Sequence, residues 1–261
     1  SYPLEEPEEA SSPPRSSQPR VCPPSPGPEG ATRPSTPKAS RRRRVAIVFS
    51  GPKDNALVKL LSTIFDVDSY DVLVDPIGQD LLRSEVLNPL MHRITAGEYA
   101  FVWIATPCCS YSILQGRRPL HDPLCSEGWG DLSPSEQAYL RLHNRLAEIT
   151  KALCWAAHRS STPWACENPS PRHDKTSPAY WQDFAMYASL FDMPCMKLLI
   201  ENTGATLSIF AQCEFEAEFQ KYTAILAASR LSKICARIFG HRLCTHSSHE
   251  HLAMGTDANG R

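Results

Sequence analysis

Four short stretches and a tail hold the residues whose types could do chemistry. They are Ser50-Gly51-Pro52, Asp75, Thr106-Pro107-Cys108-Cys109-Ser110, Glu167-Asn168-Pro169 and the run from Cys244 to His251. A cysteine reacts as thiolate, and a free thiol with a pKa of about 8.5 is mostly protonated at neutral pH, so Cys108 or Cys109 needs a setting that ionises it. A glycine lets the backbone turn sharply or approach a ligand closely. Taken singly, each feature admits a plain structural role. Cys108 can be an inert thiol in a turn, Glu167 can cap a turn, and Asn168-Pro169 is itself a turn signal.

The joint placement says more. Val45–Phe49 is a continuous apolar run suited to a strand buried on both faces of a parallel sheet. Leu57, Leu60, Leu61 and Ile64 follow at helical spacing. Tyr70–Val74 reads as a second strand and Tyr99–Ala105 as a third, with a polar, partly helical stretch between them interrupted at Asn88-Pro89. Residues 106–132 read as a long loop with Gly116, Gly128 and Gly130, a length typical of a lid or binding loop. Ser133, Pro134 and Glu136 then form a capping box, opening a helix whose buried face would carry Tyr139, Leu142, Leu146, Ile149 and Leu153. Trp164–Cys166 reads as a short fourth strand. Ser177-Pro178 is expected to open a helix with Trp181, Phe184 and Ala188 on one side, and 206–211 and 222–226 to form two late strands close enough to pair.

Strand, helix, strand, helix, strand implies a doubly wound Rossmann-like α/β fold, mainly parallel, with a late antiparallel strand. In such sheets ligands bind outside the carboxyl ends of the strands. Gly51, Asp75, Cys108 and Glu167 each follow a predicted strand, so they are expected to face one crevice.

The chain has 261 residues, a formal net charge of −1, 42% hydrophobic and 21% charged residues, enough for one or two domains with a real core. Near-neutral charge removes a global argument for nucleic-acid or membrane-surface binding. No apolar run is long enough to cross a membrane, and no signal-type apolar segment stands near the start. The 10 cysteines include no Cys-x-x-Cys pair, which fits a reducing, intracellular setting rather than a disulfide framework. Residues 1–44 hold 11 of the 23 prolines and are expected to be disordered, ahead of one α/β domain over 45–261 that can be a fragment at its C-terminus. The segment ends in Arg41–Arg44, which has the composition of a nuclear-localisation or phosphate-binding patch and equally of a solvated charge run.

On these residues the chain resembles the cytosine-C5 DNA methyltransferases. Phe49-Ser50-Gly51 resembles the first motif, the turn that approaches the cofactor. Asp75 resembles the acid that holds the cofactor ribose, and Pro107-Cys108 the motif carrying the nucleophile. Glu167-Asn168 resembles the Glu-Asn motif that contacts the target cytosine, and Gln212 the start of the Gln-x-Arg-x-Arg motif. The chain is more similar still to methylase-like domains carried by retroelements of unicellular eukaryotes. Those combine Phe-Ser-Gly-Pro, Pro-Cys-Ser-x-Ser, Glu-Asn-Pro and Gln-Cys-x-Phe segments with a Cys-x-His tail.

The resemblance implies S-adenosylmethionine as cofactor, held by Phe49, Ser50, Gly51, Asp75 and Pro107. It implies nucleic acid, DNA in the first place, as partner, and Cys108, Glu167 and Asn168 as catalytic residues. A Cys108 thiolate would attack carbon 6 of a flipped-out cytosine while Glu167 holds ring nitrogen 3, and a methyl group would pass to carbon 5. Thr106 stands where the family has proline, Pro169 where it has valine, and Glu214 and Glu216 where it has two arginines. Acids repel a phosphate backbone, so these departures point to the alternative of a non-catalytic binding module that keeps the fold.

Two further expectations concern sulfur. Cys108, directly after Pro107, is expected to be the exposed and faster-reacting cysteine, with Cys109 pointing away. The tail Cys244-Thr245-His246-Ser247-Ser248-His249-Glu250-His251 offers zinc-type ligands, but it lacks the separated ligand pairs of structural zinc sites. A polar tail without metal is the expectation.

Overall fold

The computed structural model describes residues 42–52, 55–112, 119–218, 221–240, 242–246 and 249. Residues 1–41, most of the segment expected to be disordered, lie outside them, as do Gly116 and His251. Arg44 belongs to the first strand and pairs with Asp68 (3.7 Å) and Glu98 (4.0 Å), so the basic run is partly neutralised where the fold begins.

Six strands form one sheet: β1 (Arg44–Val48), β2 (Asp66–Tyr70), β3 (Tyr99–Ile104), β4 (Trp164–Pro169), β5 (Thr206–Ala211) and β6 (Tyr222–Ala227). Their order is β2-β1-β3-β4-β6-β5. β1 pairs in parallel with β2 and β3, and β3 pairs in parallel with β4. β6 runs antiparallel to both its neighbours, β4 and β5. The sheet is therefore Rossmann-like, mainly parallel with one reversed strand inserted late, and β1 is an interior strand, second from the β2 edge.

Period-two alternation sorts the side chains onto two faces. Ala46, Val48, Val102, Ile104, Trp164, Cys166, Ala224 and Leu226 belong to the main core. That core also takes side chains from α2 (Ser84–Thr95), α3 (Pro134–Arg159) and α4 (Pro194–Thr203). Ala165, Ile225 and Ala227 belong to a second cluster, with Cys235, Leu231 and Phe239 of α5 (Ser229–Phe239) and with Phe101 and Trp103. β1 is buried from both sides, which is why it reads as an unbroken apolar run. A short helix, α1 (Ala56–Ser62), joins β1 to β2 and is capped by the Asn55 side chain.

Three expectations are corrected. β2 lies four residues earlier than Tyr70–Val74. It is an edge strand of half-buried, mostly polar residues, so it lacks the apolar signal. Its central Asp68 accepts hydrogen bonds from Arg93 (2.6 Å) and the Tyr99 hydroxyl (2.9 Å), which replace water for a charge at a sheet edge. The apolar run after it is a turn that leaves Leu73 71% exposed. The segment opened by Ser177-Pro178 forms turns and one 3-10 turn, Gln182–Phe184, rather than an α-helix; its aromatic residues pack on one another, Trp181 to Phe184 at 4.8 Å and Phe184 to Tyr187 at 5.8 Å. β4 runs on through Glu167-Asn168-Pro169, which sequence places in a turn.

α3 starts where the capping box puts it, with both reciprocal hydrogen bonds formed between Ser133 and Glu136. Of the expected stripe Leu146, Ile149 and Leu153 are buried, Tyr139 is half-buried and Leu142 is exposed, and the buried face widens to Leu140, His143, Ala147 and Thr150. Ser133→Ala removes one side of the box and should lower the unfolding free energy by about 1 kcal/mol. Urea denaturation checks this, and an unchanged midpoint would mean that the cap contributes nothing to α3.

Candidate active site at the carboxyl ends of the strands

At the end of β1 the chain turns sharply. The amides of Phe49 and Ser50 both donate to the Tyr70 carbonyl, at 2.7 and 3.4 Å. Phe49 takes a left-handed φ of 57° and Gly51 one of 75°. For a bulky residue such a conformation costs about 1–3 kcal/mol. It is held because the Phe49 ring packs on the main core. A Cβ on Gly51 would meet Asn55 Nδ2 at an ordinary 3.5 Å, so its φ rather than crowding calls for glycine.

The acid beside this turn is Asp71, not Asp75. Asp71 directly follows β2, is buried, and its carboxylate accepts from the Gly51 amide at 2.8 Å and the Leu73 amide at 2.8 Å. Asp75 is exposed and accepts from the Gly78 amide (2.8 Å) and the Ile77 amide (3.1 Å), which hold its carboxyl below the usual range. The displacement follows from the register of β2. Since the strand ends at Tyr70, the acid at its carboxyl end is the next residue.

The Thr106-Pro107-Cys108 turn is fixed from three sides. The Ala105 amide donates to the Val48 carbonyl at 3.0 Å, continuing the sheet. From α3, Thr150 lies 2.7 Å from the Thr106 hydroxyl and donates its own proton to the Leu146 carbonyl at 2.9 Å, so Thr106 is the donor between them. His143, also from α3, hydrogen-bonds the Pro107 carbonyl. Asn168 in β4 donates from Nδ2 to the Thr106 carbonyl at 2.8 Å. Asn168 is fully buried, and its Oδ1 has no partner among the described residues. This geometry makes Asn168 a residue that positions the cysteine turn.

Glu167 reaches the same place by strand register. The pairing of β3 with β4 stops at Ile104 opposite Cys166, whereas the pairing of β4 with β6 continues to Pro169 opposite Thr223. From Glu167 onward β4 has a neighbour on one side only, and β3 has already turned away into the cysteine loop. Burial pushes the half-buried Cys108 thiol up. Lys221 pulls it back, while Cys109 and Glu167 add to the rise. Burial also raises the Glu167 carboxyl, again opposed by Lys221. A thiol, a carboxyl and an ammonium thus act on one another within a single site. Lys221 is the residue that sequence reasoning missed. It immediately precedes β6, and only the reversed placement of β6 beside β4 carries it to Cys108 and Glu167.

Gln212 opens a 3-10 turn, Gln212–Phe215, and donates from Nε2 to the Thr223 hydroxyl at 2.9 Å. Glu214 is engaged by the tail rather than by the cysteine loop. Its Oε1 accepts from the Thr245 amide and hydroxyl, both at 3.2 Å, and lies 3.7 Å from His246 Nδ1. Glu216 ends the turn with a left-handed φ of 68°. Next to it the side chains of Cys213, Cys244, His246 and His249 converge, their ligand atoms all within 4.8 Å of one another.

No protein-family model matches the chain, and no curated protein matches it in sequence. Among solved structures it is similar to that of the S. pombe Dnmt2 methyltransferase, at 16% identity with a TM-score of 0.35. The match covers 72% of this chain and 51% of that one, so the chain spans about half the length of that protein.

Contrary to the sequence expectation, the exposed thiol of the pair is Cys109, and Cys108 is the more buried one. At neutral pH a maleimide should therefore label Cys109 and the exposed Cys125 well ahead of Cys108. Peptide mapping after short exposure reads the order, and faster labelling of Cys108 would contradict the arrangement.

Acid sensitivity should come from His121. It stacks on Tyr111, with ring centroids 4.6 Å apart, and its Nδ1 lies 2.7 Å from the Ser126 carbonyl oxygen. Burial lowers its pKa to about 4. The unfolded chain then binds more protons than the folded one below about pH 6.5, so stability falls from there and levels off near pH 4, by at most about 3 kcal/mol. His121→Gln should flatten that segment of the stability profile, and an unchanged slope would assign the loss to other groups.

Proposed function

We propose that the chain is an S-adenosylmethionine-dependent cytosine-C5 methyltransferase-like domain acting on nucleic acid, DNA in the first place, of the kind carried by retroelements. The observation that carries this reading is the convergence of Cys108 and Glu167, from the carboxyl ends of adjacent strands β3 and β4, with Lys221 in a Rossmann-like sheet. The motif resemblance supports it independently of geometry.

The residues around the β1 turn fit the cofactor. Each oxygen of Asp71 accepts one backbone amide, which leaves further lone pairs for ribose hydroxyls. Asp71 takes the role that the motif resemblance gives to Asp75. Bound S-adenosylmethionine would supply a sulfonium-borne methyl group that can be transferred to a carbon nucleophile. The chain's own residues would make that carbon nucleophilic. Cys108, as thiolate, adds to carbon 6 of the base, and Glu167, in its acid form, gives a proton to ring nitrogen 3. The resulting enamine carries its electron pair at carbon 5. After methyl transfer, water takes the carbon 5 proton, the Cys108 thiolate leaves carbon 6, and ring nitrogen 3 returns its proton to Glu167, which restores the ring.

In the free protein burial raises the Cys108 thiol most, Cys109 and Glu167 add to the rise, and Lys221 opposes it. Lys221 is the group that favours the thiolate. Lys221→Ala should therefore slow alkylation of Cys108 at pH 8 several-fold without changing that of Cys109.

A second reading is favoured by the same raised thiol: a domain that keeps the cofactor crevice and binds nucleic acid without transferring a methyl group. Two measurements separate the two readings. S-adenosylhomocysteine should raise the melting temperature of the wild-type chain and of Asp75→Ala, but not of Asp71→Ala. An oligonucleotide containing 5-fluorocytosine should form a denaturant-resistant adduct with the wild-type chain and S-adenosylmethionine, because fluorine at carbon 5 cannot leave as the proton does. Cys108→Ser should abolish the adduct and Cys109→Ser should keep it. Cofactor stabilisation without an adduct would select the binding module, and absence of stabilisation at millimolar ligand would remove the enzyme reading.

A further inference from the structure

The fold brings a fourth ligand to the tail. In sequence, Cys244, His246 and His249 lack a separated partner. In the structure Cys213, 31 residues before Cys244, supplies it from the turn between β5 and β6. We propose that Cys213, Cys244, His246 and His249 form a structural zinc site that fastens the C-terminal tail to the end of the β5–β6 hairpin.

The donor set, the spacing and the surroundings agree on this. Two thiolates and two imidazoles are a standard closed tetrahedral set for zinc, and two thiolates neutralise the ion's charge. With Zn–S of about 2.3 Å and Zn–N of about 2.0–2.1 Å, tetrahedral geometry puts sulfur about 3.6 Å from nitrogen. Cys244 Sγ lies 3.7 Å from His246 Nδ1 and 3.4 Å from His249 Nε2. The two imidazole centroids are 5.1 Å apart and inclined at 60°, so the rings present their nitrogens to a shared centre rather than stacking. Cys213 is buried, Cys244 and His249 are half-buried, and His246 is exposed, so the site sits at the surface with one sulfur anchored beneath it.

The chain around the cluster is positioned before any ion binds. The Ala211 amide, at the end of β5, donates to the Arg242 carbonyl at 2.8 Å. The Arg242 guanidinium lies over the Phe215 ring at 5.9 Å. The Thr245 amide and hydroxyl hold Glu214, whose carboxylate stands 3.7 Å from His246 Nδ1. Glu214 thus holds the tail beside the cluster through Thr245. This gives Glu214 a reason to be acidic that has nothing to do with a phosphate groove. Zinc here would tie the turn and the tail together directly beside Lys221 and Tyr222, at the head of β6.

The test uses the full chain purified without chelator. Elemental analysis should find one zinc per chain, released stoichiometrically by an organomercurial that caps thiols. Exchange into cobalt(II) should give the strong visible ligand-field bands of a tetrahedral ion and a sulfur-to-cobalt charge-transfer band. Cys213→Ser and Cys244→Ser should each weaken the charge-transfer band, His249→Asn should shift the ligand-field bands, and Cys109→Ser should change neither. If a cysteine variant fails to fold, X-ray absorption of the wild-type zinc protein decides, with two sulfur and two nitrogen neighbours expected. A folded, metal-free chain, a disulfide between Cys213 and Cys244, or a metal shell without sulfur would each overturn the proposal. None of these readouts involves the cofactor or methyl transfer. A zinc-loaded chain that ignores S-adenosylhomocysteine would sink the enzyme reading and leave the metal site standing.

Discussion

One buried hydrogen bond governs the geometry of the candidate site: the Asn168 side-chain amide to the Thr106 carbonyl, at 2.8 Å. It joins the two strand ends that carry Glu167 and Cys108. Without it a carbonyl in the protein interior would be left unpaired, at a cost of about 1–3 kcal/mol, and the cysteine turn would lose its link to β4. α3 reinforces the bond by taking Thr106 through Thr150 and Pro107 through His143. The turn is thus held by the sheet on one side and by the longest helix on the other.

Burial raises both the Cys108 thiol and the Glu167 carboxyl, and Lys221 opposes both shifts. One cation therefore offsets part of the burial at both groups. The arrangement needs no net positive patch, which is consistent with a chain whose formal charge is −1.

The reversed strand is the common element of the two candidate regions. By running antiparallel between β4 and β5, β6 extends the pairing of β4 to Pro169 and presents Lys221 to the cysteine. The hairpin that precedes it carries Cys213 and Glu214 to the tail. A fastening at Cys213 and Cys244 would limit the motion of that hairpin, and through it the place of Lys221. The same turn that resembles the start of a nucleic-acid-contacting motif is in this chain built around sulfur and imidazole.

Sequence alone determined what depends on local signals. The apolar run of β1, the helix start at Ser133 and the identity of the two late strands are written in periodicity and capping. Gly51, Cys108 and Glu167 are legible as candidate site residues because each stands near the end of such an element. Tertiary structure decided everything that depends on register and on strand order. It moved the acid of the second strand from Asp75 to Asp71, since an edge strand with Asp68 at its centre leaves no apolar trace. It exposed Cys109 in place of Cys108 and turned Asn168 inward as a strut. It brought Lys221 to the cysteine and Cys213 to the tail across 31 residues. Such meetings cannot be read from spacing, because β-pairing brings together residues far apart in the chain, and a shift of register by a single residue changes which of them meet.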